Sequence, residues 1–286
     1  MQKFLFPTDF SANALHAAKY GYNLARQIKA NIILCNAVII PAEVPQSGLI
    51  AWPLEESDIL LEDSNNELKC FKAHLEPGLT LDGFMPSISY LNESGTVINV
   101  VNHIVESHEI DLVIIGTHGS SGLSTFLLGN HSRAMIDSAM IPLLLVPPAA
   151  AIKPVKKIAF ATDFNNPEED LECIYRLIKI ARPLNAEILL THVYNEKTQS
   201  PKFQKWVDEF IAELSNKADY PHIYYRTIKS EITASGLDWL CGHGQIDILA
   251  MVHRSHNFID SLFRKSQTQK MSGHIPLPLL VFPSKH

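Results

Sequence analysis

The chain repeats itself. Lys3-Phe-Leu-Phe-Pro-Thr-Asp-Phe-Ser11 returns as Lys157-Ile-Ala-Phe-Ala-Thr-Asp-Phe-Asn165. Asn31-Ile-Ile-Leu-Cys-Asn-Ala37 returns as Glu187-Ile-Leu-Leu-Thr-His-Val193, and Asp111-Leu-Val-Ile-Ile115 as Asp247-Ile-Leu-Ala-Met251. Ile141-Pro-Leu-Leu-Leu-Val-Pro147 returns as Leu277-Pro-Leu-Leu-Val-Phe-Pro283. Matches in one unbroken order imply two copies of one unit. A chain of 286 residues also favours two domains over one. The units expected are 1–148 and 154–286, with Pro148-Ala-Ala-Ala-Ile-Lys-Pro154 as a short linker.

Each copy alternates strand and helix patterns. In the first, strands are expected near 3–7, 32–38, 87–91, 111–115 and 143–146, and helices near 12–29, 56–75, 95–108 and 124–139. Ser11 is a good N-cap for the first helix, whose Ala14, Leu15, Ala18, Tyr22 and Ala25 form an apolar stripe. Alternating β and α elements imply an α/β fold with a doubly wound parallel sheet in each copy. In such sheets ligands bind beyond the carboxyl ends of the strands, where strand order reverses. The first copy is longer by roughly 20 residues, most simply placed between Val38 and Glu56. Pro41, Pro45, Gly48 and Pro53 make that segment a long loop, either a lid or a plain surface excursion.

The most distinctive local pattern follows the strand at 111–115. Gly116, Gly119 and Gly122 leave it, and Gly129 stands before a helical stretch. Glycine lets a ligand approach the backbone, and a helix N-terminus offers unpaired N–H groups to phosphate. The spacing Gly-x2-Gly-x9-Gly is neither a Walker loop nor the dinucleotide Gly-x-Gly-x-x-Gly. The alternative is a tight strand-to-helix turn without a ligand. In the second copy, an ungapped alignment beginning at Met251 sets Met251 against Gly116, Arg254 against Gly119 and Arg264 against Gly129. Side chains would then fill the phosphate space, so nucleotide binding is expected in the first copy only. Arg254, Arg264 and Lys265 read as a solvated basic surface, with a site for a different anionic ligand as the alternative, and His253 reads as a loop residue.

Composition excludes some classes. A net charge of −6 argues against non-specific nucleic-acid binding. No apolar run is long enough for a membrane span. The N-terminus enters a strand pattern at once and lacks a signal peptide's apolar region, so a cytoplasmic protein is expected. Cys35, Cys70, Cys173 and Cys241 are far apart and read as reduced thiols. His253 and His256 belong to no zinc-like set, and no metal ligand is expected. No Ser-His-Asp order, paired carboxylates or redox dithiol points to catalysis.

Pro7-Thr-Asp-Phe-Ser11, Asp111 to Ser132 and Pro142-Leu-Leu-Leu-Val146 together resemble the universal stress protein family, in a tandem arrangement spanning nearly the whole chain. The family's glycine signature ends in Gly-Ser or Gly-Thr; here it ends Gly129-Asn130. The resemblance implies two doubly wound five-stranded parallel-sheet domains, adenine nucleotide alpha hydrolase-like, packed as an internal pseudo-dimer through their last strands. It also allows a homodimer of whole chains. It implies an adenine nucleotide (ATP, ADP or AMP) as ligand, with Mg2+ as companion. Carried onto this sequence, Pro7, Thr8 and Asp9 would lie near adenine and ribose, and Ala37 would offer backbone contacts to adenine. Gly116, His118, Gly119, Gly129, Asn130, His131 and Ser132 would surround ribose and phosphates. For Asp9 the competing role is capping of the first helix, since Asp163 persists in the copy that lost its glycines. The function implied is a nucleotide-binding stress-response or regulatory protein with slow or no hydrolysis. A scaffold for protein partners and an adenylating enzyme of related fold are the alternatives.

Overall fold

The computed structural model describes residues 1–40, 54–76, 83–117, 130–195, 201–254 and 276–284. The first half contains β1 (Lys3–Pro7), α1 (Ala12–Ile28), β2 (Asn31–Val38), α2 (Leu54–Leu75), β3 (Ile88–Ser94), α3 (Val97–His108), β4 (Leu112–Gly116), α4 (Asn130–Asp137) and β5 (Leu143–Val146). The second contains β6 (Lys157–Ala161), α5 (Pro167–Leu184), β7 (Glu187–Tyr194), α6 (Pro201–Lys217), β8 (Ile223–Lys229), α7 (Thr233–His243), β9 (Ile248–His253) and β10 (Leu279–Pro283). Residues 41–53 of the expected long loop and the start of the expected helix at 124–139 fall outside the described residues.

Alternation along each strand builds a core on both faces of the sheet. Phe4 and Phe6 of β1 point to one face and Leu5 to the other, all almost fully buried. Buried residues of α1, α2, α5 and α6 cover the first face, while those of α3, α4 and α7 cover the second. Each such apolar side chain contributes about 1.5–3 kcal/mol on burial. Gly21 lets α1 lie close on β1, because a Cβ there would stand 2.6 Å from the Phe6 ring.

All ten strands join one sheet in the order β3-β2-β1-β4-β5-β10-β9-β6-β7-β8. Within each half every pairing is parallel. Strand order reverses between β1 and β4, and again between β6 and β9, giving two switch points. The halves meet where β5 and β10 pair antiparallel, with Leu144 opposite Leu280, Leu143 opposite Val281 and Leu145 opposite Leu279.

The segment between the halves is a packed strap rather than a free linker. His16 Nε2 bonds the Ala150 carbonyl at 3.0 Å, Asn23 donates to Lys153 O at 3.1 Å, and Val155 N donates to Gln27 Oε1 at 3.1 Å. Residues 150–155 therefore run along α1, with Ala150 and Val155 buried.

Backbone register corrects the ungapped alignment by one residue. Phe4 pairs with Leu112 as Ile158 pairs with Ile248, and Asp111 N donates to Lys3 O as Asp247 N donates to Lys157 O. The counterpart of Gly116 is thus Val252, not Met251, and Arg254 corresponds to His118 rather than Gly119. His253 is the last residue of β9, not a loop residue. Its Nε2 lies 3.1 Å from Asp137 Oδ1 on α4, which links the two halves.

Candidate functional site

The first crevice is built at the carboxyl ends of β1, β2 and β4. Where β1 ends, Thr8 Oγ1 accepts from Phe10 N at 2.9 Å and Asp9 Oδ1 accepts from Ser11 N at 3.1 Å. This tight turn places Phe10 at φ 61° and starts α1. Ser11 is the N-cap, its Oγ accepting from Ala14 N at 3.1 Å. Asp9 therefore does not cap α1 itself; it holds the capping residue, and its side chain stands exposed at the crevice.

Thr8 is tied to β2, its N donating to Cys35 O at 2.8 Å and its carbonyl accepting from Asn36 Nδ2 at 2.8 Å. Ser64 of α2 in turn donates to Asn36 Oδ1 at 3.0 Å. Ala37, one residue further along β2, is half-buried. Pro7 closes β1 beside Cys35.

Gly116 ends β4 directly beneath the first turn of α1. A Cβ at Gly116 would lie 3.1 Å from the Asn13 carbonyl oxygen, so the glycine lets α1 start close against the end of β4, whatever it does for a ligand. Ser132, buried in α4, makes long bonds to the carbonyls of Gly116 (3.4 Å) and Thr117 (3.5 Å). The structure thus brings Pro7, Thr8, Asp9, Ala37, Gly116 and Ser132 to one end of the sheet. Asn130 and His131 open α4, but their side chains, together with His118, Gly119 and Gly129, lie outside the described residues. Among the described residues no group of three or more His, Cys, Asp or Glu is arranged to hold a metal ion. The first turn of α1 carries no acidic residue, so the only carboxylate described at this helix end is that of Asp9, bonded to Ser11 N at the N-cap.

The second crevice repeats the turn and changes its contents. Thr162 Oγ1 accepts from Phe164 N at 2.9 Å, Asp163 Oδ1 accepts from Asn165 N at 3.0 Å, and Phe164 sits at φ 58°. His192 stands where Asn36 stands in the first half, and its Nδ1 donates to Thr162 O at 3.0 Å. Here, however, the first turn of α5 carries Glu168, Glu169 and Asp170. Arg254 reaches across from the end of β9. Its Nε donates to Glu169 at 2.8 Å, Nη1 to Asp163 at 2.8 Å, and Nη2 to Asp170 at 2.6 Å and to the Asn166 carbonyl at 3.3 Å. Arg254 is therefore a largely covered ion-pair centre and not the solvated basic residue expected; Arg264 and Lys265 lie outside the described residues.

Burial pushes the Asp170 carboxyl above its ordinary pKa, while its bond from Thr162 and the Arg254 charge pull it back part of the way. For Arg254, burial works against the charge, but the Glu169 bond and the Asp170 charge outweigh it and raise the pKa. Asn36, His192 and the acid set around Arg254 escaped sequence reasoning. Each acts through partners far along the chain, and only the aligned pair Asn36 and His192 carried a visible signal.

The universal stress protein family model matches residues 1–147. The chain belongs to the universal stress protein family. Universal stress protein MJ0531 of Methanocaldococcus jannaschii is 30% identical over 146 residues, covering 51% of this chain and 81% of that protein. Universal stress protein MJ0577 of the same organism is 26% identical over 159 residues, covering 51% of this chain and 94% of the relative. Across both halves, the structure of a universal stress protein from Archaeoglobus fulgidus is similar with a TM-score of 0.67 and 13% identity, covering 98% of each chain. The family match thus rests on the first half and the fold likeness extends through the second. Among the described residues no helix is long and apolar enough to cross a membrane.

Proposed function

We propose that the chain binds one adenine nucleotide, in the first crevice, as a regulatory universal stress protein with slow or no hydrolysis. The carrying observation is that Gly116 and Ser132, far apart in sequence, come together at the β1/β4 switch point, next to the β1 end that carries Asp9 and to a helix whose first turn holds no acidic residue. The family match covers the same half. In this reading residues 1–148 form the nucleotide-binding domain and 154–286 a supporting one, the two joined as an internal pseudo-dimer through β5 and β10.

The roles follow from chemistry. Asp9 keeps a carboxylate oxygen for ribose hydroxyls or an adenine amino group. Backbone groups at Ala37 read the base. The glycine segment from Gly116 to Gly129, with Asn130, His131 and Ser132, receives the phosphates at the start of α4, where N–H groups and the helix dipole favour anions. An accompanying Mg2+ would be held by phosphate oxygens and waters, as that ion prefers. The candidate residues include no Lys or Arg to neutralise a transferring phosphoryl group, which supports binding over turnover.

Isothermal titration with ATP, ADP and AMP in the presence of Mg2+ tests the proposal. One saturable site per chain is expected. Two sites would give the second half a role denied it here, and absence of binding would reject the nucleotide reading.

A further inference from the structure

The second switch point retains a cleft of about 280 Å3, with Ala161, Val193, Leu237 and Met251 along its walls and Arg254 at its mouth. This is the place where a ligand would enter in a sheet of this kind. Three carboxylates converge there: Asp163 from the end of β6, and Glu169 and Asp170 from the first turn of α5. The helix register sets Ala25 against Ala181 and the C-cap Lys29 against Asn185, so the counterparts of Glu169 and Asp170 in the first half are the uncharged Asn13 and Ala14. The second mouth therefore concentrates negative charge that the first does not have.

We propose that Arg254 is a tethered ligand of the second crevice. Its guanidinium occupies the mouth and is bound there by Asp163, Glu169 and Asp170, so this half takes a cation from its own chain in place of a phosphate from solution. The geometry suits that role. Nε, Nη1 and Nη2 each meet a different carboxylate within 2.8 Å, which uses the fixed fork of a guanidinium and could not be copied by an ammonium. Asp170, almost fully buried, has its second oxygen bonded by Thr162 Oγ1 at 2.7 Å. Removal of Arg254 would leave that carboxylate without its cation. The guanidinium also closes a structural loop. It ties the end of β9 to the β6–α5 turn, a connection that in the first half is made by direct packing of α1 on Gly116. The inference stands apart from the nucleotide reading of the first crevice, because every group it uses belongs to the second.

The test uses the full chain with Arg254→Ala. The variant should melt at least about 3 °C below wild type, since three carboxylates then face one another without a cation. Methylguanidinium at tens of millimolar should raise its melting temperature by refilling the mouth, and should not raise that of wild type. ATP stoichiometry should be the same in both proteins, because the opened mouth is acidic. An unchanged melting temperature, no response to methylguanidinium, or a second ATP site in the variant would each overturn the proposal. If the alanine variant does not fold, Arg254→Lys carries the test. It keeps the charge and loses the fork, so it should melt below wild type, and equality with wild type would overturn the assignment.

Discussion

Asp9 and Asp163 are the same residue in the same turn with different company. In both turns a Thr hydroxyl and an Asp carboxylate accept backbone N–H groups, and a Phe takes a left-handed conformation. That conformation is costly for a non-glycine residue and must be held by its surroundings. Phe10 packs edge-on against Phe71, and Phe164 against Trp206 and Phe210. The turn is thus a fold element in both halves, and the difference lies in what the carboxylate faces: open crevice at Asp9, Arg254 at Asp163. Asp9→Asn keeps an oxygen for Ser11 N and removes the charge. It should weaken nucleotide binding about 10-fold with little change in melting temperature. Asp163→Asn should do the reverse, lowering the melting temperature and leaving affinity alone. Paired calorimetry and thermal melts separate the two, and equal nucleotide affinity in Asp9→Asn and wild type would remove Asp9 from the site.

At the scale of elements, α1 and α5 begin differently. Ser11 caps α1 through its hydroxyl, whereas Asn166 makes no such bond for α5, which relies on Pro167 and three acidic residues in its first turn. Ser11→Ala should cost about 1 kcal/mol, visible in denaturant titration as a lower midpoint at unchanged slope. Asn166→Ala should move that midpoint much less. The helix α1 was legible in the sequence because its apolar stripe and its cap agree. The strands were legible because β-branched runs end at Pro, Gly or Asp. In β9, Met251 and Val252 are both apolar and both buried, so hydrophobicity alone does not tell which one stands at the place of Gly116; the strand repeat, Asp111–Ile115 with Asp247–Met251, already points to Val252. Pairing with β6 agrees with that repeat and overrules the ungapped alignment. The glycine spacing pointed to the carboxyl end of β4, but nothing local foretold that Gly116 lies close to the Asn13 carbonyl. The partners of Arg254 lie on another strand end and helix, beyond the reach of any motif.

On the scale of the molecule, the two halves share one sheet and one core on each of its faces. Leu144 and Leu280 occupy equivalent places in their strands and pair with each other, so a local two-fold relation passes through that pair. The sheet ends at β3 and β8, while β5 and β10, fully apolar along Leu143–Val146 and Leu279–Phe282, lie in its middle. Separation of the halves would turn β5 into an exposed apolar edge, which is a template for strand pairing. A fragment of residues 1–150 should therefore associate into a dimer through β5–β5 pairing that copies the β5–β10 contact. Sedimentation analysis would show this as a concentration-dependent dimer, and a charged substitution at Leu144 in the fragment should return it to monomer. A fragment that stays monomeric with Leu144 intact would mean that the α4 contact, including Asp137 with His253, and the strap along α1 hold the halves together in place of the strand pair.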